Sequence, residues 1–225
     1  YDILSGLVGS EMCIRDSASL TWAFAGVLNP AMSQLHAFVS EYSARDQPWR
    51  YLFQTTDVIM GTLLCLAGLA TLVWARHRPL GRQGWSGVGF VAGGFFSVLD
   101  ALVTMDCSPT RSQACMAAEE AGHVSVNHIV HVGTSTIVVV GFALPILLLN
   151  STMTRFRGFG LVVTWAWVVF TLLNGIGAVG WFVGTPMDYT GIWQRFSLGL
   201  GTLWWLILAA DDIVTARVQD RARSC

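Results

Sequence analysis

Residues 126–149 read VNHIVHVGTSTIVVVGFALPILLL, an apolar run that has two histidines near its start and no acidic or arginine side chain. A helix needs about 20 mostly apolar residues to cross the hydrocarbon core of a bilayer. The apolar residues are continuous and do not alternate with polar ones, so the run does not fit a strand of a membrane β-barrel. Because backbone groups in lipid must be paired within their own segment, the run predicts a transmembrane α-helix.

Further apolar segments extend this pattern over most of the chain. Four other segments are also long enough to span a bilayer: Leu52–Ala75, Trp85–Val103, Phe159–Val183 and Phe196–Val214. Another segment, Ser19–Phe38, is weaker because polar residues interrupt its second half, although Leu20–Leu28 is apolar enough to insert. We therefore predict an all-α integral membrane bundle of six transmembrane helices within residues 18–215, followed by a cytoplasmic tail at residues 216–225.

The composition of the chain supports a membrane location. Hydrophobic residues make up 53% and charged residues 12% of the chain, whereas a soluble domain carries about 25% charged residues. Too little charge remains to cover a water-exposed surface, so we expect the lipid bilayer to be the main partner. The net charge of −1 excludes a bulk electrostatic attraction to nucleic acid. All 13 basic residues are arginine, which is typical of a GC-rich bacterial genome.

The opening segment, residues 1–17, has a different character. It does not begin with methionine, and residues 9–17, GSEMCIRDS, resemble a peptide that arises when sequencing-adapter DNA is translated. It lacks the basic start and the continuous apolar core of a signal peptide. We expect a non-native or disordered segment, and a genuine polar N-terminal tail is the alternative.

The arginines orient the predicted bundle. The connections after the second and fourth spans and the C-terminal tail hold eight of them, whereas the other connections between spans hold four and are rich in acidic residues. Cytoplasmic connections carry an excess of basic residues. The alternation therefore predicts that both termini are cytoplasmic and that the chain is a multi-pass protein of the bacterial cytoplasmic (inner) membrane.

Ionisable side chains inside a membrane are costly and mark functional sites. With this orientation, six of them fall at the extracytoplasmic ends of the predicted helices: Glu41, Asp57, Asp100, His128, His131 and Arg195. We predict that they line a polar extracytoplasmic pocket in which Asp100 is the best candidate for a buried functional carboxylate. The alternatives are a polar network that only locks helices together and, for Asp100, a salt bridge with Arg195 or a hydrogen bond to a histidine.

His128 and His131 are separated by three residues, so they share one face of their helix. Two imidazoles and the carboxylate of Asp100 could ligate a metal such as zinc. The same side chains could instead hold or relay a proton, because histidine titrates near neutral pH. Zinc (Zn) is thus the one cofactor that the residues suggest, and none is firmly implied.

The predicted loop at residues 104–122 contains Cys107 and Cys115. If this loop faces an oxidising exterior, we expect a disulfide between the two cysteines. The alternative is that both thiols bind a metal together with His123.

Small residues indicate where the predicted helices pack closely. The patterns Gly89-x-x-x-Gly93 and Gly180-x-x-x-Gly184 would let neighbouring backbones approach each other. We expect close helix contacts at both.

Several short motifs, taken in their order along the chain, resemble a known family. They are Ser40-Glu41-Tyr42, Asp57-x-x-x-Gly61, Asp100 with Met105-Asp106-Cys107 and Cys115, His128 with His131, and Gly191-Ile192-Trp193-Gln194-Arg195. The succession resembles the bacterial six-helix membrane family catalogued as domain of unknown function 998, over about residues 20–215. The resemblance implies a six-helix bundle in the cytoplasmic membrane and no particular activity.

Three kinds of function fit these features. The first is a protein that binds or transports a small molecule, a lipid headgroup or a proton in its polar pocket. The second is a membrane-embedded metal-dependent hydrolase acting on a lipid, in which Ser40 could supply a serine beside the histidines and aspartates, by analogy with ceramidase-like membrane enzymes. The third is an accessory membrane subunit without chemistry. The sequence predicts no substrate and no oligomeric state.

Overall fold

The computed structural model describes residues 21–76, 81–182 and 189–224, and the regular elements within these ranges are all helical. A helix of eight residues or more forms at each of α1 (Thr21–Leu28), α2 (Arg50–Ala75), α3 (Arg82–Leu102), α4 (Gln113–Glu120), α5 (Val126–Leu149), α6 (Arg157–Phe182) and α7 (Thr190–Ser224). A short 3-10 helix, Val39–Ser43, lies between α1 and α2.

Among the described residues, five helices are long and apolar enough to cross a membrane: Arg50–Ala75, Arg82–Leu102, Val126–Leu149, Arg157–Gly180 and Thr190–Val218. They coincide with the longer predicted segments and confirm those predictions, except that Val183 lies outside the described residues. Large apolar side chains such as Val162 and Trp165 remain more than 60% exposed on α6. Such surfaces suit lipid rather than water, so the chain is a multi-pass membrane protein.

The weak first segment is not helical to its predicted end. Helix α1 stops at Leu28, and the residues up to Phe38 form turns, so the prediction of a helix over Ser19–Phe38 is wrong in its second half. Pro30 has no backbone N–H and disfavours a helical conformation at Asn29. The Asn29 side chain donates instead to Gln47 Oε1 at 2.8 Å. A sixth span would need the residues before Thr21, and these, like residues 1–17, lie outside the described ranges.

The last helix extends past the end of the predicted transmembrane domain. Helix α7 continues without interruption through the predicted boundary at residue 215 and ends at Ser224. The tail at residues 216–225 is therefore an extension of the last spanning helix as far as the chain is described. Hydropathy marks where a helix leaves the apolar layer, and it does not mark where the helix ends.

Helix α3 packs closely on both α2 and α5 through glycines. A Cβ atom added to Gly94 would lie 2.5 Å from the Gly61 carbonyl oxygen on α2. On the other face, a Cβ atom at Gly89 would lie 2.7 Å from the Gly141 carbonyl oxygen on α5. The close contact predicted for Gly89 and Gly93 is therefore confirmed, whereas Gly184 lies outside the described residues.

Helices α6 and α7 join the bundle through a separate apolar cluster. It unites α5, the α5–α6 loop, α6 and α7 and consists of Ile146, Met153, Val163, Trp167, Trp204 and Ile207. The rings of Phe90 on α3 and Trp205 on α7 also contact, with centroids 4.9 Å apart. These contacts bring α7 back beside α3.

A carboxylate that the sequence analysis did not select fixes the α5–α6 loop. Asp211 on α7 is buried and accepts backbone N–H groups from Thr154 (2.9 Å), Arg155 (2.6 Å) and Phe156 (2.8 Å). Helix α6 begins at Arg157, so these donors lie in the connection leading into its first turn. The charge is satisfied by three N–H groups, which explains a buried aspartate at this end of the bundle.

We expect Gly94→Ala to lower the unfolding free energy by about 1–3 kcal/mol, because the added methyl group must push two packed backbones apart. Gly133→Ala on α5 is the matched control, because a Cβ atom there meets nothing within 4 Å. Alanine has the higher helix propensity, so this control should be neutral or stabilising by up to about 1 kcal/mol. The midpoint of thermal unfolding of the purified protein in detergent compares the two, and equal midpoints would contradict the close packing of α3.

Candidate functional site

The structure places the seven candidate residues at one end of the bundle. Asp57, His128, His131 and Arg195 lie in the first two to three turns of α2, α5 and α7, and Asp100 lies in the last turn of α3. Ser40 and Glu41 lie in the 3-10 helix that packs beside these ends. We call this set the polar layer: Ser40, Glu41, Asp57, Asp100, His128, His131 and Arg195.

Asp100 and His131 form the central pair of the polar layer. His131 is 2% exposed, and its Nδ1 atom lies 3.3 Å from Asp100 Oδ1. The same nitrogen lies 3.0 Å from the Val103 carbonyl oxygen and 3.2 Å from that of Asp100. Carbonyl oxygens only accept hydrogen bonds, so Nδ1 carries a hydrogen atom. In the neutral ring Nε2 then bears a lone pair, and this buried atom has no hydrogen-bond partner among the described residues.

The Asp100 carboxylate is held by helix α5. Ser135 Oγ donates at 3.0 Å to both carboxylate oxygens, and Thr134 Oγ1 donates to Oδ1. Asp57 on α2 is close enough for its charge to interact with that of Asp100, yet no hydrogen bond to the Asp57 carboxylate occurs in the described part of the chain. Of these two carboxylates, Asp100 lies beside the His131 imidazole and has hydrogen-bond donors.

His128 has the opposite arrangement of hydrogen atoms. Its Nδ1 atom accepts the backbone N–H of Asp106 at 3.2 Å, so in the neutral ring the hydrogen atom is on Nε2. Nε2 is buried without a hydrogen-bond partner in the described chain and lies 3.7 Å from Glu119 Oε1. The two histidines share a helix face as predicted. However, Nδ1 of His131 donates a hydrogen bond, whereas Nδ1 of His128 accepts one.

The zinc hypothesis gains no geometric support from the polar layer. Within residues 21–76, 81–182 and 189–224, no group of three or more His, Cys, Asp or Glu side chains could hold a metal ion. His131 Nδ1 faces Asp100 directly, and His128 Nδ1 is occupied by a backbone N–H. Zinc binding by His128, His131 and Asp100 therefore stays a prediction.

Glu41 lies in a separate polar socket formed by the α3–α4 loop. It is 1% exposed and accepts hydrogen bonds from the Thr110 hydroxyl (2.6 Å), the Thr110 backbone N–H (3.1 Å) and the Phe38 backbone N–H (2.9 Å). Ser108 Oγ is a further donor. Burial raises the pKa of Glu41 above its ordinary value of 4.5, although these hydrogen bonds act against the rise. Glu41 therefore ties the 3-10 helix to the loop.

Ser40 and Arg195 do not join the histidines. The backbone carbonyl of Ser40 accepts from Ser43 Oγ at 2.7 Å, and no contact of the Ser40 hydroxyl with either histidine occurs among the described residues. Arg195 Nη1 donates to the carbonyl oxygens of Ala37 and Gly191, both at 2.9 Å. Its Nη2 donates to the Tyr42 hydroxyl at 3.3 Å. Arg195 thus clamps the segment before α2 to α7 and is not the partner of Asp100.

The α3–α4 loop covers the polar layer and is closed by a disulfide. Cys107 and Cys115 are joined, with Cα atoms 6.0 Å apart, so the alternative of two free thiols binding a metal with His123 is wrong. The residue before Cys107 is Asp106, which accepts from the Ser125 backbone N–H at 2.6 Å and from Arg45 at 3.2 Å. Burial alone would raise the pKa of Asp106, but hydrogen bonds from Ser125 and the charge of Arg45 bring it below its ordinary value.

Sequence analysis did not identify several residues of the α3–α4 loop and of α4 that contact the polar layer. Ser108 and Thr110 contact Glu41, and only their place in a loop between two cysteines pointed to them. Glu119 on α4 contacts His128. Each is an ordinary polar residue in a polar part of the sequence, so its type carries no signal. Their roles follow from the way in which the disulfide folds the loop over the helix ends.

We expect the contribution of Glu41 to the stability of the wild-type protein to fall as pH rises above the ordinary glutamate pKa of 4.5. The raised pKa means that the folded chain holds the Glu41 proton more tightly than the unfolded chain. The stability that protonated Glu41 contributes is therefore fully present at pH values below the pKa of Glu41 in the unfolded chain. It is lost as pH rises through the pKa of Glu41 in the folded chain. Glu41→Gln should flatten this slope in thermal unfolding measured against pH, while Glu120→Gln, at an exposed position of α4, should not. Equal slopes in both variants would contradict the role of Glu41.

Comparison with known proteins agrees with this architecture. The model of the family described as Protein of unknown function (DUF998) matches residues 17–211, a range that contains every residue of the polar layer. No curated protein and no solved structure matches the chain. The resemblance found in the order of the short motifs is confirmed by this match. The chain belongs to the family Protein of unknown function (DUF998).

Proposed function

We propose that this membrane protein binds and releases a proton at the Asp100–His131 pair, as the working step of a binding or transport function. The observation that carries the proposal is the state of His131. Its Nδ1–H is engaged by Val103 and Asp100, and its Nε2 lone pair is buried without a partner in the described chain. A proton is the ligand that such an atom takes most directly.

Proton binding at Nε2 would be electrostatically favourable at this position. The imidazolium that forms lies 3.3 Å from the Asp100 carboxylate, and an opposite charge at that distance stabilises the charged ring. The pair would alternate between a neutral imidazole beside an anionic carboxylate and an ion pair, which differ by one proton.

The orientation of the protein is part of the same proposal. We infer six spans, the first of which includes α1 (Thr21–Leu28), and both termini in the cytoplasm. The distribution of arginines supports this orientation, and it directs the polar layer to the outer side of a bacterial cytoplasmic membrane. The Asp100–His131 pair would then exchange protons with the extracytoplasmic side.

The binding of a proton is tested by counting the protons taken up when purified protein in lipid nanodiscs passes from about pH 8 to about pH 5, the range in which histidine titrates. His131→Asn should remove about one proton per molecule, because asparagine can still donate to Val103 but has no Nε2. Asp100→Asn should shift that uptake to lower pH, since the imidazolium loses its counter-charge.

Asp212→Asn is the control, because this exposed carboxylate lies near the opposite end of the bundle. An unchanged proton count in His131→Asn would overturn the proposal. Elemental analysis of the same preparations separates it from the hydrolase hypothesis. Stoichiometric zinc that is lost in His128→Ala and His131→Ala would favour the metal-dependent enzyme instead.

A further inference from the structure

We propose that His128 is a second proton-binding position, and that its protonation releases the disulfide-closed loop that covers the Asp100–His131 pair. Proton binding at His128 stands independently of the proposed function. The role of the loop as a gate over the inner pair rests on that function. The proposal depends on how one short segment, residues 103–108, contacts both histidines.

The segment accepts a hydrogen bond from one histidine and donates a hydrogen bond to the other. The Val103 carbonyl oxygen accepts from His131 Nδ1 at 3.0 Å, whereas the Asp106 backbone N–H donates to His128 Nδ1 at 3.2 Å. The first contact needs a hydrogen atom on the ring nitrogen, and the second contact needs a lone pair. The contact of the loop with His131 therefore tolerates a proton on that ring, whereas its contact with His128 requires the neutral His128 ring.

A proton that reaches His128 must bind at Nδ1, because Nε2 already carries the hydrogen atom of the neutral ring. The new N–H faces the Asp106 backbone N–H, and two donors cannot share a hydrogen bond. The bond between Asp106 and His128 is lost, and the Asp106 amide turns to water as its new acceptor. No covalent bond is broken, and the only species consumed is one proton from the outer solution.

The surroundings of His128 favour the charged ring. Glu119 Oε1 lies 3.7 Å from Nε2, and its side chain is 13% exposed while the His128 ring is 1% exposed. The nearby carboxylate stabilises an imidazolium and gives the buried ring a neighbour in contact with solvent. The charged and titratable groups on the elements around His128 include Glu119 on α4, Asp106 and Arg45 in the loops, Asp100 on α3, His131 on α5 and Glu41 on the 3-10 helix.

The disulfide makes the release of Asp106 a movement of the whole loop. Cys107 is bonded to Cys115, which lies in the first turn of α4. On the other side of Cys107, Ser108 donates to Glu41. A displacement at Asp106 is therefore passed to α4 and to the Glu41 socket, and the carbonyl of Val103 moves away from His131. Protonation at low external pH would thus open the inner pair to the outer solution.

The experiment measures amide hydrogen–deuterium exchange of residues 103–110 in the complete protein in nanodiscs, with every variant compared at the same pH. In His128→Asn the amide oxygen can accept the Asp106 N–H but cannot take up a proton, so the loop should stay closed. At about pH 8 wild type and His128→Asn should exchange alike. At about pH 5 the wild-type loop should exchange roughly tenfold faster than that of His128→Asn, as expected for the loss of one buried hydrogen bond and the repulsion that replaces it.

His123→Asn is the matched control, because His123 is exposed in the same loop region and its replacement should leave the wild-type response intact. A second pair, Glu119→Gln and Glu120→Gln, tests the counter-charge without touching His128. Loop opening should move to lower pH in Glu119→Gln only. Equal exchange of wild type and His128→Asn at about pH 5, or equal opening in the two glutamate variants, would overturn the proposal.

The failure of this proposal is distinguishable from failure of the proposed function. If His131→Asn leaves the proton count unchanged while the loop still opens with pH in wild type and not in His128→Asn, the inner site is refuted and the His128 position stands. If the loop does not respond while His131→Asn removes a proton, the inner site stands and the loop is not a gate.

Discussion

The Asp100 carboxylate is the group around which one end of this bundle is arranged. A carboxylate near the end of a membrane-spanning helix must be paired or hydrogen-bonded, because burial without partners costs several kcal/mol. Helix α5 supplies those partners through His131, Thr134 and Ser135. The same two helices meet at glycines further in, at Gly89 and Gly141. The α3–α5 interface therefore has a polar cluster near the helix ends and close backbone packing further along the helices. Each of these contacts limits the position that the other can take.

The two histidines on α5 acquire different chemistry from one short loop. They are chemically identical and one turn apart, yet a carbonyl oxygen contacts one ring and a backbone N–H contacts the other. This difference fixes which nitrogen of each neutral ring is available to a proton. The disulfide and the Glu41 socket hold the loop in the position where both contacts exist. The polar layer is thus organised by the loop as much as by the helices.

The sequence predicted the spanning helices well and their connections poorly. Long apolar runs such as Val126–Leu149 leave few alternatives, because a membrane helix must satisfy its own backbone. The first segment was predicted too long because hydropathy does not register the conformational effect of Pro30 on Asn29. The short helix α4 and the anchoring of the α5–α6 loop by Asp211 were not predicted, since their polar residues read as ordinary loop or interfacial residues.

The amino-acid sequence by itself determined that the chain is helical, that it crosses a bilayer several times, and that its costly ionisable residues gather at one end. These features depend on local hydropathy and on the alternation of spans, and both can be read along the linear sequence. Only the tertiary structure decided that Asp100 pairs with His131, that Arg195 donates to Ala37 and Gly191, and that Asp106 contacts His128. Hydrogen-bond partners, and with them the tautomers of two rings, depend on distances between segments that are remote in sequence, and no local pattern encodes those distances.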